Sequence, residues 1–573
     1  MNILGISCYF HDAAAAIVKD GIVIAAAEEE RFTRKKHDFN FPINAINFCL
    51  KKSGIAADGI DYVVFYEKPF NKFERILQTT LQTFPHSLST FREAMISWMT
   101  EKLWIRGLIH DKTDVPESKI LFCDHHISHA ANSFFCSPFN EAAIVTIDAV
   151  GEWATTTYGV GRDTDIEIQK EIRFPHSLGL FYSAFTSFLG FEVNEGEYKV
   201  MGLAPYGKPC EKEKITSHID TKPDGSFAIN MKPFTWHQSM EKMFNSDFTK
   251  LYGQQRTREE SEKLNTYCSN IAASVQRVTE DAIIKMVKHV KEKTGMKNLC
   301  LSGGVAYNSK ANGRIMRECG FENIFIPPAS GDSGSAIGAA LYVYHTLLGN
   351  KRKFVMKHAY LGQEYEENRI KEFLDSNNIP YQRTTDKDLF QLISEEMQRG
   401  KVIGWYQGRF EWGPRALGNR SIIADPRKQE MKDIVNMKIK FREPFRPFAP
   451  SVLAEECENY FELHNAKEQW PARFMLYVVD VNANKRSIIP AITHVDGTAR
   501  LQTVFKEENP RYYNLIKTFQ EHTGVPLILN TSFNLRGEPI VNSPADAYSD
   551  LIKSGLDMIV LENFIVRKDD KVK

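Results

Sequence analysis

One segment of the chain carries a histidine pair with metal-binding spacing. His125 and His129 stand four residues apart behind Asp124, a favourable N-cap residue, so a helix would place both rings on one face. For the pair alone we would favour an ordinary packed or surface pair. Asp148 and Asp332, which lie in polar corners, shift the interpretation toward a metal site. Two imidazoles with carboxylate oxygens suit Fe(II), Mn(II) or Zn(II) better than the all-oxygen shell of Mg(II).

An arginine-rich segment forms the second group of candidate residues. Between Arg409 and Arg446 the chain has ten Lys or Arg residues against five Asp or Glu residues. Their neighbours are Phe, Trp, Pro and Gly, which would hold the guanidinium groups in place instead of leaving them solvated. We therefore predict an anion pocket suited to phosphate. Its candidate donors are Arg415, Arg420, Arg446, Arg500, Asn530, Ser532 and Asn534.

His11 is a candidate general base. It lies in a polar corner after an apolar strand pattern at residues 3–7, where an attacking hydroxyl could approach its ring. The alternative is a turn histidine that is hydrogen-bonded to Asp12. Local sequence does not separate these two interpretations.

A mixed-charge segment at residues 28–37 has no evident chemistry. It begins with three glutamates and continues with several basic residues. We interpret it as a solvated helix start or loop, and we expect its charged side chains to be exposed.

Two similar strand patterns are expected to position the candidate residues. Residues 3–7 lead through the His11 corner into a hairpin at residues 13–27. Residues 143–147 lead through Asp148 into a returning strand at residues 153–160. Two such units predict a duplicated α/β domain with a cleft between its halves. Actin, acetate kinase and sugar kinases have this architecture.

Two glycine-rich turns lie between strand and helix patterns. The first contains Gly303, Gly304 and Asn308 after a strand at residues 298–301, and the second contains Gly331. Glycines let a ligand approach the backbone, and a helix N-terminus favours anionic groups. One such turn is common in any α/β protein, but two within about thirty residues favour a nucleotide-binding edge.

The bulk composition excludes several classes of protein. Lys+Arg and Asp+Glu are both 72, so the net charge is zero, and we expect neither nucleic-acid nor membrane binding. The nine cysteines form no C-x-x-C pair, and the N-terminus begins with a strand pattern, so we expect a cytoplasmic protein. The 573 residues exceed one ordinary domain, and the pattern breaks near residues 348–357. We therefore predict two domains, residues 1–350 and 358–573.

Taken together, the motifs resemble the NodU/CmcH-type O-carbamoyltransferase family, which includes tobramycin-type carbamoyltransferases. The resemblance spans nearly the whole chain, and Tyr307 stands where leucine is more usual. The matching segments are FHDAAAA (10–16), EEERFTRKKH (28–37), HHISHAA (125–131), SLGLFYSAFTSFLGF (177–191), EYKVMGLAPYG (197–207), SGGVAYN (302–308), GDSGSAIGAA (331–340), GPRALGNRSI (413–422), REPFRPFAPS (442–451), HVDGTAR (494–500) and LNTSFN (529–534).

The resemblance implies two catalytic halves. Residues 1–350 would form an actin/sugar-kinase-like, metal-dependent carbamoyl-transfer domain, similar to the one that transfers threonylcarbamoyl to tRNA. Residues 358–573 would form a YrdC-like α/β domain that makes carbamoyl adenylate from carbamoyl phosphate and ATP, with Mg accompanying the ATP. The carbamoyl group would then pass to a hydroxyl of a small-molecule acceptor, expected to be a natural product.

The resemblance also implies roles for individual residues. The metal ligands would be His125, His129, Asp148 and Asp332, which hold one divalent ion, with Fe(II) preferred and Mn or Zn as alternatives. The K-x-R and S-x-N motifs of the adenylate-forming domain fall on Lys440, Arg442, Ser532 and Asn534. Lys440 and Arg442 would act at the reacting phosphate, and His11 would accept the hydroxyl proton.

Two other functions remain as alternatives. One is a kinase-like phosphotransferase of the actin/sugar-kinase fold, and the other is a non-catalytic metal- and nucleotide-binding partner in tRNA modification. Neither the acceptor nor the oligomeric state follows from the sequence.

Overall fold

The computed structural model describes residues 1–100, 102–239 and 241–568. Its contacts divide the chain into two compact units. The first contains Met1–Ala26 and Phe39–Met356, and the second contains Ala27–Asp38 and Lys357–Lys573. The sequence predicts that residues 27–38 belong to the first domain, whereas the structure groups them with the second unit. Within the described ranges, we find no helical stretch whose length and hydropathy would carry it through a bilayer.

The regular elements are numbered along the chain. The strands are β1 (Asn2–Ser7), β2 (Ala14–Lys19), β3 (Ile22–Glu28), β4 (Tyr62–Phe65), β5 (Ile120–Phe122), β6 (Glu141–Ile147), β7 (Ala154–Arg162), β8 (Asp165–Arg173), β9 (Ile219–Thr221), β10 (Phe227–Ile229), β11 (Asn298–Ser302), β12 (Asn323–Phe325), β13 (Gln382–Arg383), β14 (Ile403–Tyr406), β15 (Arg420–Ala424), β16 (Ala449–Leu453), β17 (Val478–Asp480), β18 (Thr498–Arg500), β19 (Gln502–Val504), β20 (Leu527–Ser532), β21 (Met558–Leu561) and β22 (Phe564–Arg567). The helices are α1 (Glu30–Thr33), α2 (Ile43–Ser53), α3 (Pro69–Thr83), α4 (Leu88–Thr100), α5 (Ile105–Thr113), α6 (His125–Cys136), α7 (Leu178–Phe188), α8 (Glu197–Leu203), α9 (Lys212–Thr216), α10 (Ser246–Tyr252), α11 (Arg258–Glu262), α12 (Thr266–Thr294), α13 (Ser309–Glu318), α14 (Ser335–Tyr342), α15 (Glu367–Ser376), α16 (Asp386–Gln398), α17 (Met431–Ile434), α18 (Cys457–Tyr460), α19 (Trp470–Arg473), α20 (Pro510–Thr523) and α21 (Pro544–Lys553).

The first unit repeats one sheet topology. Its two larger sheets have the strand orders β3-β2-β1-β4-β5 and β8-β7-β6-β11-β12. In each sheet the central strand, β1 or β6, pairs antiparallel with its hairpin neighbour and parallel with β4 or β11. This repetition confirms the duplicated α/β arrangement that the two strand patterns predicted.

Two buried helices lie between these sheets. Helix α14 packs on β1 and β2, α6 packs on β6 and β11, and the two helices contact each other. Small residues allow the close packing. A Cβ atom at Gly338 would lie 1.9 Å from the carbonyl oxygen of Ser128, and one at Gly5 would lie 1.8 Å from that of Ala336. This close packing of α6 against α14 therefore fixes the positions of side chains at the start of both helices.

The second unit has one large mixed sheet, with the order β13-β22-β21-β14-β15-β20-β16-β19. Strand β20 pairs antiparallel with both β15 and β16, which places it in the sheet interior. Helices α16 and α20 pack against each other, and α20 also packs on β16 and β20. The end of β20 carries the predicted donors Asn530 and Ser532, so the sheet positions them.

Candidate functional site

The structure brings the four predicted metal ligands together in the first unit. The Nε2 atom of His125 lies 3.1 Å from Asp148 Oδ2, 3.7 Å from Asp332 Oδ1 and 3.1 Å from His129 Nε2. His129 Nε2 lies 3.7 Å from Asp148 Oδ2 and 3.5 Å from Asp332 Oδ1. All four residues are buried. The prediction that α6 would place two imidazoles on one face therefore holds in the geometry.

The donor set fits a divalent metal ion. Four ligands about 2.1 Å from one tetrahedral ion lie about 3.4 Å apart, and the five distances above scatter around that value. Asp332 Oδ2 and His125 Nδ1 are buried without a hydrogen-bond partner among the described residues. Two imidazoles and two carboxylates match the ligand preferences of Fe(II), Mn(II) and Zn(II).

A glutamate that the sequence analysis missed caps the metal-site helix. Asp124 stands at the N-cap of α6 but makes no side-chain cap, and it pairs instead with Lys68 at 2.8 Å. The carboxylate of Glu152 accepts the backbone N–H of His125 at 3.0 Å. The N-cap position was thus predicted correctly, whereas the capping side chain comes from a distant turn. Nothing in the local sequence indicates Glu152.

The first glycine-rich turn orients the carboxylate of Asp148 in the predicted metal site. The backbone N–H of Gly304 donates to Asp148 Oδ1 at 2.9 Å, which leaves Oδ2 facing the histidines. Gly303 has φ +92°, and a Cβ atom there would lie 2.3 Å from the carbonyl oxygen of Ile147. These glycines are required by a close approach of the protein's own backbone, so their presence needs no nucleotide to explain it.

The other predicted turn residues also make internal contacts. The side chain of Asn308 caps α13 and exchanges two hydrogen bonds with the amide of Gln276, at 2.9 and 3.2 Å. A Cβ atom at Gly331 would lie 3.1 Å from the ring of Tyr307. These contacts favour a positioning role for Asn308 and Gly331 over direct nucleotide binding.

The pKa values of His126 and His129, both in α6, are shifted in opposite directions. Burial would lower the pKa of His129, but the nearby carboxylates of Asp148 and Asp332 outweigh burial and raise it to about 9. Burial and the charges of His125 and His129 lower the pKa of His126 to about 3. His126 bonds to Thr146 Oγ1 at 2.6 Å and to the carbonyl of residue 154 at 2.8 Å. It is therefore a neutral core histidine outside the cluster.

His11 lies on the loop between β1 and β2 and is not one of the four clustered residues. Its Nδ1 atom lies 2.8 Å from Asp12 Oδ2, so the turn pairing considered above is present. Burial would lower the pKa of His11, but the pairing with Asp12 outweighs it and raises the pKa to about 9. The loop is also unusual in its backbone, since Tyr9 and Asp12 have φ values of 69° and 45°.

In the second unit, Lys440 joins the two residues of the S-x-N motif. Its Nζ atom donates to the carbonyl oxygens of Ser532 and Asn534 at 2.8 and 2.7 Å, and to Asn534 Oδ1 at 2.6 Å. Burial, with the charges of Arg442 and Arg446, holds the pKa of Lys440 well below its usual value. The K-x-R and S-x-N motifs thus meet in space, and Lys440 anchors the loop after β20.

Several cations face one another beside this loop. Burial and the charges of Arg415 and Arg446 hold the pKa of Arg500 well below its usual value. The Nε atom of Arg500 is buried and has no hydrogen-bond partner in the described part of the chain. Arg442 is oriented by Asn436 Oδ1, 2.7 Å from its Nε atom. Such a concentration of positive charge favours a bound polyanion.

Two predicted donors have mainly internal partners. Arg420 is fully buried, and its Nη atoms donate to the carbonyls of Gln407 and Gly408 at 2.6 and 3.0 Å. Asn530 donates through Nδ2 to Ser451 Oγ at 2.9 Å. These contacts favour a positioning role for Arg420 over phosphate binding, because both of its Nη atoms already donate to backbone carbonyls.

The expectation for residues 28–37 was wrong in its first half. Glu28, Glu29 and Arg31 are only 5%, 2% and 1% exposed, although the sequence suggested a solvated segment. Mixed charge in sequence normally indicates solvent exposure, but here Glu28 and Arg31 form hydrogen bonds with the backbone of the distant Gly413. The local pattern could not reveal those partners.

Family comparisons agree with a two-part group-transfer enzyme. The model for the carbamoyltransferase N-terminus matches residues 2–341, and the model for the carbamoyltransferase C-terminus matches residues 394–568. The chain belongs to the carbamoyltransferase family, of the NodU/CmcH type. Members of this family are transferases.

Individual relatives extend over most of the chain. A Synechocystis protein, sll1178, is 47% identical over 99% of this chain and 97% of its own length. The nodulation protein NolNO of Sinorhizobium fredii is 37% identical over 98% of this chain and 79% of its own length. The 3'-hydroxymethylcephem-O-carbamoyltransferase of Amycolatopsis lactamdurans is 34% identical over 47% of this chain and 49% of its own length. Component A of the Acidaminococcus fermentans (R)-2-hydroxyglutaryl-CoA dehydratase superposes with a TM-score of 0.32 at 14% identity, over 60% of this chain and 98% of that one.

Proposed function

We propose that this protein is an ATP-dependent O-carbamoyltransferase with two reaction sites. The observation that carries the proposal is the presence, in separate units, of a buried His–Asp cluster and a concentration of cations around the buried Arg500. Carbamoyl phosphate and ATP, with Mg, would react in the second unit, whose fold we propose to be YrdC-like. The carbamoyl group would then be transferred in the first unit, whose fold we propose to be actin/sugar-kinase-like.

The first reaction needs stabilisation of phosphate charge. Water would release phosphate from carbamoyl phosphate, and an oxygen of the resulting carbamate would attack the α-phosphorus of ATP. Pyrophosphate would leave, and carbamoyl adenylate would remain. Arg415, Arg446 and Arg500 would neutralise the phosphate oxygens, while Arg442 would act at the reacting phosphate and Lys440 would hold the loop beside it.

The second reaction needs an activated hydroxyl. The acceptor oxygen would attack the carbamoyl carbon, AMP would leave, and the hydroxyl proton would pass to Nε2 of His11. Asp12 would hold the other ring nitrogen through the 2.8 Å pairing. A divalent ion bound by His125, His129, Asp148 and Asp332 would supply positive charge beside the adenylate; we prefer Fe(II), with Mn or Zn as alternatives.

The relatives guide the proposal for the acceptor. One is named for O-carbamoylation of a hydroxymethylcephem, and another is a nodulation protein. We infer that the acceptor of this protein is a hydroxylated small molecule of the natural-product kind.

Pyrophosphate release tests the proposal. Purified protein with carbamoyl phosphate, ATP and Mg should release pyrophosphate only when carbamoyl phosphate is present. Arg442→Ala should lower this rate at least about 100-fold, because a charge at the reacting phosphate is lost. Lys438→Ala is the matched control, since Lys438 is an exposed cation four residues earlier. Formation of ADP in place of AMP and pyrophosphate would instead indicate the phosphotransferase.

A further inference from the structure

A short segment early in the chain belongs structurally to the second unit. Residues Ala27–Asp38, which we call the bracket segment, include the last two residues of β3 and the whole of α1. The bracket segment contacts two loops of the second unit that carry candidate adenylate-site residues.

The first contact holds Gly413. Glu28 Oε1 accepts the backbone N–H of Gly413 at 2.7 Å, and Arg31 Nη2 donates to the carbonyl oxygen of Gly413, also at 2.7 Å. Glu28 and Arg31 lie 3.6 Å apart and are buried. Gly413 has φ +101°, a conformation that side-chain-bearing residues rarely adopt. Both peptide groups of this glycine are therefore fixed, two residues before Arg415.

The loop after Gly413 is also held from within. Glu411 Oε1 accepts the backbone N–H groups of Leu417, Asn419 and Arg420 at 2.8, 2.7 and 3.1 Å. A carboxylate with three backbone donors defines the shape of the loop. The bracket segment then determines where that preformed loop is fastened.

The second contact supports the S-x-N motif. Arg34 donates to the carbonyl oxygens of residues 539 and 540 at 2.9 and 2.7 Å. Just before them, the carbonyl of Glu538 accepts a hydrogen bond from Asn534 Nδ2 at 2.6 Å. Asn534 Oδ1 in turn accepts from Lys440. One segment thus fastens the loop that carries Arg415 and the loop that supports Lys440.

We propose that the bracket segment is a positioning element of the adenylate-forming site. Glu28 and Arg31 set the position of Arg415 through Gly413, and Arg34 sets the loop that supports Asn534. The proposal rests on the proposed function of the second unit. Residues near the N-terminus thereby have a role in the chemistry of the C-terminal half.

Substitution of Arg31 in the full-length protein tests the proposal. Arg31→Met should lower kcat for carbamoyl-phosphate-dependent pyrophosphate release roughly 10- to 100-fold, because a small displacement of a charged group is costly in a preorganised site. Arg31→Lys should recover part of the loss, since one donor to Gly413 remains. Lys35→Met removes an exposed cation of the same segment and should behave as wild type.

A pH profile separates positioning from general support of the fold. Burial raises the pKa of Glu28 to about 7, with Arg31 opposing and Glu30 adding to the rise. Below that pH, protonation weakens the hydrogen bond from Gly413 and the attraction to Arg31. The wild-type rate should therefore rise through about pH 7, and Glu28→Gln should lack that rise. A purely structural role for Glu28 predicts the same profile in both proteins.

Pyrophosphate binding measured by calorimetry gives a readout without turnover. Arg31→Met should bind pyrophosphate at least about tenfold more weakly than wild type, because Arg415 is displaced. Equal affinity of wild type and Arg31→Met for pyrophosphate would overturn the positioning role. The role would also be overturned if Arg31→Lys recovered no activity and Glu28→Gln had the same pH–rate profile as wild type. If wild type binds pyrophosphate but releases none from ATP, the proposed function fails, and the binding comparison still decides the role of the bracket segment.

Discussion

Two histidines on one turn of α6 should respond in opposite ways to substitution. His129 belongs to the four-residue cluster, whereas His126 bonds to Thr146 and to the carbonyl of residue 154. We therefore compare His129→Ala with His126→Ala. The first should weaken metal binding about 100-fold, and the second should destabilise the metal-free protein without removing the metal site.

The magnitudes follow from linkage. A metal ion present at 100 times its Kd stabilises the folded state by about 2.7 kcal/mol, which raises the melting temperature of a unit of this size by roughly 4 °C. If His129→Ala weakens binding 100-fold, the same concentration stabilises by only about 0.4 kcal/mol. His126→Ala should lose about 2–4 kcal/mol in the absence of metal, because two buried hydrogen bonds and a packed ring are removed.

Metal content and thermal unfolding provide the assay. Each protein is stripped, reloaded with Mn(II), Zn(II) or anaerobic Fe(II), and measured by elemental analysis and calorimetry with and without the ion. The increment produced by metal is compared, since His129→Ala also changes the stability of the stripped protein. One tightly bound equivalent in His129→Ala, or loss of the increment in His126→Ala, would refute the assignment of ligands.

Two further predictions concern His11 and Arg420. Pairing with Asp12 outweighs burial and raises the pKa of His11 to about 9, so the ring is mostly protonated at pH 7. The rate of carbamoyl transfer should therefore rise about tenfold per pH unit up to about pH 9. His11→Ala should block carbamoyl transfer and spare pyrophosphate release. Asp12→Asn should shift the rising part of the pH–rate profile to lower pH. Full transfer by His11→Ala would contradict the assignment of His11 as general base. Arg420→Met should lower the free energy of unfolding by about 2–6 kcal/mol, since two buried carbonyls lose their donor. An unchanged melting temperature with a large rise in KM for ATP would show instead that Arg420 binds phosphate.

Much of the candidate chemistry was visible in the sequence because it depends on residue type and short-range periodicity. The spacing of His125 and His129 placed both rings on one helical face, and the repeated strand patterns indicated a duplicated domain. Both are local properties of the chain, since a helix and a hairpin impose fixed side-chain directions. The sequence also showed that the candidate metal ligands and the arginine-rich segment are two distinct groups of residues.

The partners of buried polar groups were decided by tertiary structure. Local sequence cannot show that Glu152 caps α6, or that Gly304 holds Asp148, because each contact joins distant parts of the chain. Arg420 illustrates the same limit, since local sequence does not show that its Nη atoms donate to the backbone carbonyls of Gln407 and Gly408.

The bracket segment shows this division most clearly. By sequence, residues 28–37 are a charged run near the N-terminus, and such runs are usually solvated. In the structure, Glu28 reaches a backbone group 385 residues away and is buried beside Arg31. Residue types and spacing therefore determined which chemistry this protein can perform, whereas folding determined which charges are paired, because burial makes each unpaired polar group costly and its partner can come from anywhere in the chain.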